Sequence, residues 1–259
     1  MKRRLRNYSL LGLLFLSTLS PSLVAQPTGI PIFTQSHREI TVSITGGYFR
    51  KNIHGIEYNS PRYILKGILG LARFLDIFGE IGVAKVTLVM PDDTQSNLES
   101  KYQMAFGAGI NIRLLYIPRY RFSLFISGQL FRFTSKPSSE NVSFLAGSQV
   151  VQVLELKYDW RDALFNAGLT KDWGVVNFYC GLNAKTIQRL ETRIDKIIIN
   201  GGDESETKQT GEYLSGLETS PFIGLDLNLP SQLKLSLEIT GRNRSDFAFY
   251  IGLSQTGKP

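Results

Sequence analysis

The chain has 259 residues, 42% of them hydrophobic, with one cysteine and a formal charge of +7. A single thiol rules out an internal disulfide framework. Lys2, Arg3, Arg4 and Arg6 account for four of the positive charges, leaving about +3 beyond them, too little for a nucleic-acid-binding surface.

The chain opens with a basic head, Met1 to Arg6, then the apolar run Leu10 to Leu16, then the softer Ser17 to Ala25. That order is expected of a secretory signal peptide over residues 1–25, cut after Ala25 or after Ser22. As an uncleaved anchor the run falls short of the roughly 20 apolar residues a spanning helix needs. Residues 26–38 read as a periplasmic segment ahead of the first strand. No later apolar run is long enough to cross a membrane as a helix, so any passage must be made by strands.

Successive side chains of a strand point to opposite faces, and the sequence alternates accordingly. Ile40, Val42 and Ile44 oppose Thr41, Ser43 and Thr45. Tyr63 to Phe74 is apolar on both faces. In the longest clean run Tyr102, Met104, Phe106, Ala108, Ile110, Ile112 and Leu114 oppose Gln103, Ala105, Gly107, Gly109, Asn111 and Arg113. Leu154 to Leu169 changes parity around Asp162, as a β-bulge would require. Val176, Phe178, Cys180 and Leu182 oppose Asn177, Tyr179, Gly181 and Asn183. Near the end, Leu233, Leu235, Leu237 and Ile239 oppose Lys234, Ser236, Glu238 and Thr240, and Phe247, Phe249, Ile251 and Leu253 oppose Ala248, Tyr250, Gly252 and Ser254.

Connections alternate in length. Asp76-Ile77, Pro118-Arg119, Asp172-Trp173-Gly174 and Pro230-Ser231-Gln232 read as tight turns. Lys51 to Arg62, Pro91 to Ser100, Lys136 to Gln149 and Asp195 to Ser215 read as long polar loops, with Arg242 to Ser245 a short fifth. Ten strands follow: Glu39–Arg50, Tyr63–Leu75, Ile77–Met90, Lys101–Ile117, Tyr120–Ser135, Val151–Lys171, Val175–Ile194, Ser220–Leu229, Leu233–Gly241 and Asp246–Ser254. The expected fold is all-β, an up-and-down antiparallel transmembrane β-barrel over residues 39–254 with a short tail at 255–259; eight or twelve strands are the alternatives. An even count returns both ends of such a barrel to the short-turn side.

On this pattern the chain resembles the bacterial outer-membrane β-barrel proteins, in particular the small barrels of the OmpA and OmpX kind. The resemblance implies residence in the cell outer membrane, contact with its lipid and lipopolysaccharide, and handling by the barrel insertion machinery. It also implies aromatic girdles, for which Tyr48, Phe49, Tyr63, Tyr102, Tyr116, Tyr120, Phe131, Phe133, Trp160, Trp173 and Phe247 stand near strand ends. The family usually ends on an aromatic residue, whereas this chain runs on through Gln255 to Pro259. A secreted soluble barrel or sandwich is the competing architecture, with the apolar face turned inward.

Glu80, Arg113, Glu155, Lys157, Asp159, Lys185, Asp226, Lys234 and Glu238 read as lumen charges. They form either an ion-passing constriction or an internal network that plugs the barrel, with Glu80–Arg113 and Lys234–Glu238 as available pairs. A closed barrel with a structural or surface-binding role is the expected function, and a small-solute or ion channel is the alternative. A rim enzyme would draw on His54, Asp92 and Asp93 with Thr94 or Ser96, in the manner of the barrel palmitoyltransferases. Proteases of the omptin kind need an Asp and His pair in the fourth long loop, where Asp195 and Asp203 occur without a histidine; His37 precedes the first strand. No metal cluster, phosphate loop or nucleophile motif stands out, so no cofactor is expected, and an extracellular ligand would meet the long loops.

Overall fold

The computed structural model describes residues 39–53, 56–89, 97–145, 148–199, 203–214, 216–244 and 246–257. The leader, the 26–38 segment, His37, His54 and Asp92 to Ser96 lie outside the described residues. The strands are β1 (Ile40–Ile53), β2 (Ile56–Ala72), β3 (Leu75–Ala84), β4 (Thr87–Val89), β5 (Leu98–Glu99), β6 (Gln103–Ile117), β7 (Phe122–Ser135), β8 (Ser138–Leu145), β9 (Ser148–Asp172), β10 (Val176–Ile199), β11 (Asp203–Leu214), β12 (Glu218–Asn228), β13 (Leu233–Asn243) and β14 (Asp246–Gly257). Ten of them close an antiparallel ring in the order β1-β2-β3-β6-β7-β9-β10-β12-β13-β14, with β14 returning to β1. Closure gives every ring strand a hydrogen-bonded neighbour on each side. These are the ten strands that the alternation marks.

Three of the remaining four strands correct the loop assignments, and β4 corrects the expected strand Ile77–Met90, whose ring part ends at Ala84. The stretch 51–62 is strand on both sides, with Ile53 opposite Ile56. Residues 136–149 contain β8, which pairs with β9, and 195–215 hold the end of β10 and all of β11. β4 pairs with β2, and β5 joins β4 to β8. β11, exposed from Ser205 to Glu212, lacks apolar alternation and so reads as loop, while 51–62 reads as loop because its buried face carries the polar Lys51, Ser60 and Arg62.

Three short turns stand where expected: 3-10 turns at Pro118–Tyr120 and Pro230–Gln232, and a bend between Asp172 and Val176. The fourth is displaced. β2 turns into β3 at Arg73-Phe74, after an irregularity between Gly70 and Ala72, so Asp76 belongs to β3 and is buried. The short turns share a rim with both ends of the ring, where Ile40 pairs with Gly257. β14 therefore includes Gln255 to Gly257, which the sequence assigned to a tail.

The bulge expected at Asp162 is not there. β9 keeps unbroken register with β7 and with β10 along its length, and the irregularities fall at 70/72, 113/115 and 241/243 instead. What changes at Asp162 is the polarity of each face. Below it the outward row of β9 is Ala163, Phe165, Ala167 and Leu169; above it the same row is Arg161, Asp159, Lys157 and Glu155. β7 changes at the same height, from Leu130 to Arg132, which lies opposite Arg161.

Around the ring the lower part carries a continuous exposed apolar belt that includes Ile44, Leu65, Ile81, Phe106, Phe165, Ile223 and Ile251. Its height matches the roughly nine to eleven residues of a tilted strand crossing a bilayer. Tyr63, Tyr102, Tyr120 and Trp173 are exposed at the belt's margins, with Tyr63 and Tyr102 rings 5.9 Å apart, whereas the irregularity at 113/115 turns Tyr116 to the inner side, opposite Ser123. Phe49, Phe131, Phe133 and Trp160 are not girdle residues: all four are buried inside. Large rings fit the lumen because glycines face them. A Cβ on Gly47 would lie 2.4 Å from the Tyr250 ring, and one on Gly224 would lie 2.2 Å from that of Tyr179.

Candidate functional site in the barrel lumen

Inward side chains form three levels. Nearest the short-turn rim is a polar vestibule of about 230 Å³ whose lining includes Arg113, Arg121, Asp172, Tyr179, Asp226 and Lys234. Asp226 and Lys234 pair at 3.7 Å, and the Arg113 guanidinium lies 5.6 Å from the Tyr116 ring centre.

The middle level is a hydrogen-bonded network. Glu80 pairs with Lys66 at 3.3 Å and accepts a bond from Gln129 Nε2 at 2.6 Å. Lys66 Nζ also sits 3.7 Å from the Phe78 ring centre. Tyr179 donates to a Glu238 carboxylate oxygen at 3.3 Å, and Asn166 donates to Ser127 at 2.7 Å. The expected pairs are thus replaced: Glu80 takes Lys66 rather than Arg113, and Lys234 takes Asp226 rather than Glu238. The reason is register, since Lys66 lies directly opposite Glu80 on β2 and β3.

The third level closes the lumen. Arg62 is buried with its guanidinium 4.9 Å from the Phe49 ring and 5.1 Å from those of Phe131 and Phe133. It faces Asp162 at 3.6 Å, whose carboxylate also accepts from the Trp160 indole at 2.8 Å. Lys51 donates to both oxygens of Glu218 at 3.0 Å. Lys185 is fully buried over Phe49 at 4.9 Å, its Nζ without a hydrogen-bond partner among the described residues. Above them Arg189 repeats the cage, 5.0 Å from Tyr58, 5.3 Å from Tyr158 and 5.2 Å from Tyr213. It also donates to the Tyr58 hydroxyl. Burial raises the Tyr58 and Tyr158 phenols, so both stay neutral beside the cation. Leu156, Ile187, Ile53 and Leu88 fill the remaining space.

Glu80, Arg113, Lys185, Asp226, Lys234 and Glu238 point inward, whereas Glu155, Lys157 and Asp159 do not. With no bulge at Asp162, the odd residues of upper β9 face outward, and Asp159 is held there by Arg132 and Arg161, each at 2.9 Å. Burial alone would raise the Asp159 carboxyl; the two guanidinium hydrogen bonds outweigh it and hold it below the usual carboxylate range. The charges that close the lumen, Lys51, Arg62, Lys66, Asp162, Arg189 and Glu218, were missed by the sequence reading. Extending the even row of β2 upward through Lys66, Arg62, Ser60 and Tyr58 is the signal that finds two of them. Of the rim candidates, Asp195 is bound to Arg193 at 2.9 Å. Asp203 heads β11. Among the described residues no cluster of His, Cys, Asp and Glu could hold a metal.

No known family model matches the chain, and no relative is found among curated proteins. Among solved structures it is similar to the outer membrane protease OmpT from Escherichia coli, at 12% identity over 89% of this chain and 100% of that one, TM-score 0.43. It is also similar to the transport unit of the autotransporter AIDA-I from Escherichia coli, at 11% identity over 93% and 95% of the two chains, TM-score 0.42. The translocator domain of autotransporter NalP from Neisseria meningitidis follows at 9% identity over 85% and 88%, TM-score 0.41. Likenesses this distant carry no inference about activity; the barrel architecture rests on the closed ring and its outward belt.

Proposed function

We propose that the chain is an outer-membrane β-barrel protein, whose work is done in its lumen or on the faces it shows to lipid and water. We propose that the lumen is closed to solutes and that the protein is a non-enzymatic barrel with a structural or surface-binding role. The observation that carries this reading is the Arg62 cage: one guanidinium held by three rings and a carboxylate, above the polar middle level of a lumen only ten strands wide. A cation so placed is desolvated on every side, and an ion passing it would have to displace a packed aromatic layer. With the lumen filled, the surface available to a partner is the outer extension formed by β4, β5, β8, β11 and the upper ends of β9 and β10.

A channel is the second reading, favoured by the polar vestibule below the cage. Planar-bilayer recording separates the two. The purified barrel should give no steady pore, and reproducible ion-selective currents from the unaltered protein would overturn the closed-barrel reading.

A further inference from the structure

β12 and β13 share a ladder only from Phe222 opposite Thr240 down to Asn228 opposite Lys234, although β12 begins at Glu218 and β13 runs on to Asn243. Two residues end the pairing. Pro221 has no N–H to offer the ladder. Gly241, with φ 156°, stands at a register shift against β14, where a Cβ would come within 2.7 Å of the Asp246 carbonyl.

The opening is built rather than frayed. The Thr240 hydroxyl donates to the Pro221 carbonyl at 2.9 Å, Asn183 donates to Thr240 at 2.9 Å, and Ser220 donates to Asn183 at 2.7 Å. Behind it Ala248 and Tyr250 are buried, so the seam leads to no passage into the lumen.

On the lipid side the seam lies in a groove of about 680 Å³ lined by Leu182, Pro221, Ile223, Ile239, Phe247 and Arg242, among others. That is within the about 300–1,000 Å³ of small-molecule sites. Its apolar part belongs to the bilayer-facing belt. Its upper end is marked by Phe247, whose ring lies 6.2 Å from Tyr48 at the belt margin, and by the exposed Arg242, with Arg244 exposed two residues on. Aromatic and basic side chains at that height sit at the headgroup level, and a guanidinium matches a phosphate in charge and in fork geometry.

We propose that the β12–β13 seam holds one acyl chain of a phosphorylated outer-leaflet lipid, with the lipid phosphate on Arg242. The site stands whether or not the lumen conducts.

The test uses the full barrel in phosphatidylcholine nanodiscs doped with lipid A, released and weighed by native mass spectrometry. The unaltered protein should retain one lipid A. Retention should fall by roughly tenfold in Arg242→Glu, the loss expected for one charged hydrogen-bonded contact, and comparably in Ile223→Trp, which fills the groove; heat-dependent gel mobility verifies that each variant is folded. Dephosphorylated lipid A, tested on the unaltered protein, should not be retained. Equal retention of the dephosphorylated lipid, or undiminished retention by both folded variants, would overturn the proposal.

Discussion

The lower and upper parts of this barrel obey opposite rules. Below Asp162 on β9 the outside is Ala, Phe and Leu and the inside, past Leu164, is Asn, Gly and Thr; above it the outside is Arg, Asp and Lys and the inside is Trp, Tyr and Leu. The strands do not change, nor does their parity. The solvent does: lipid surrounds the lower part and rewards an apolar exterior, while water surrounds the upper part, where the chain packs its apolar face inward as a soluble barrel would. Where the two rules meet, charges from the polar lumen lie against rings of the apolar core, and that junction is the Arg62 cage.

The largest expected effect comes from breaking the junction. Arg62→Ala leaves Asp162 buried without its cation and should destabilise the barrel by about 3–5 kcal/mol, read by urea unfolding in vesicles. An effect below about 1 kcal/mol would show that the cage is solvated. The next sharpens the outward contrast. Phe165→Arg, in the lipid belt, should cost about 2–4 kcal/mol, whereas Lys157→Arg on the same outward row should change stability by less than about 0.5 kcal/mol. Equal costs would mean that lipid covers both ends of the strand. Third, Gly224→Ala forces a methyl against the Tyr179 ring and should cost about 1–3 kcal/mol by the same titration. No cost would place Tyr179 elsewhere.

The smallest effect concerns the water-exposed triad of Asp159 with Arg132 and Arg161. Its carboxyl is held lower in the folded barrel than in the unfolded chain, so its contribution is present above the unfolded carboxylate pKa and is lost as pH falls through the folded value. Surface pairs are worth about 0–1 kcal/mol. The stability difference between the native barrel and Asp159→Asn should therefore be small near neutrality and vanish in acid; a difference that grows in acid would contradict the assignment.

Strand identity was legible along the lipid belt, where runs such as Met104 to Leu114 and Leu233 to Thr240 alternate cleanly, although Tyr63 to Phe74 is apolar on both faces. Legibility ended with the lipid. Above the belt, the inward Trp160 and Tyr158 imitate a lipid-facing row, so a change of environment at Asp162 reads as a change of register. Glu155, Lys157 and Asp159 were turned inward for that reason. Lys66 was hidden between Ile64 and Ile68, which share its inward face; Arg62 ends a stretch that reads as loop because its buried face carries the polar Lys51 and Ser60, and Glu218 precedes the expected start of its strand at Ser220. Which cation meets which carboxylate depends on register across strands, which sequence spacing does not contain.

The central claim is that β9 crosses from lipid to water with its parity intact. Nitroxide side chains placed singly at residues 157, 159, 161, 163, 165, 167 and 169, in the folded barrel in vesicles, test it by comparing quenching by oxygen with quenching by a water-soluble nickel complex. Oxygen-dominated quenching is expected from 163 downward and nickel-dominated quenching from 161 upward, with every label in the row accessible. Labels at 157 and 159 shielded from both quenchers, with those at 156 and 158 accessible, would place a bulge at Asp162 and contradict it.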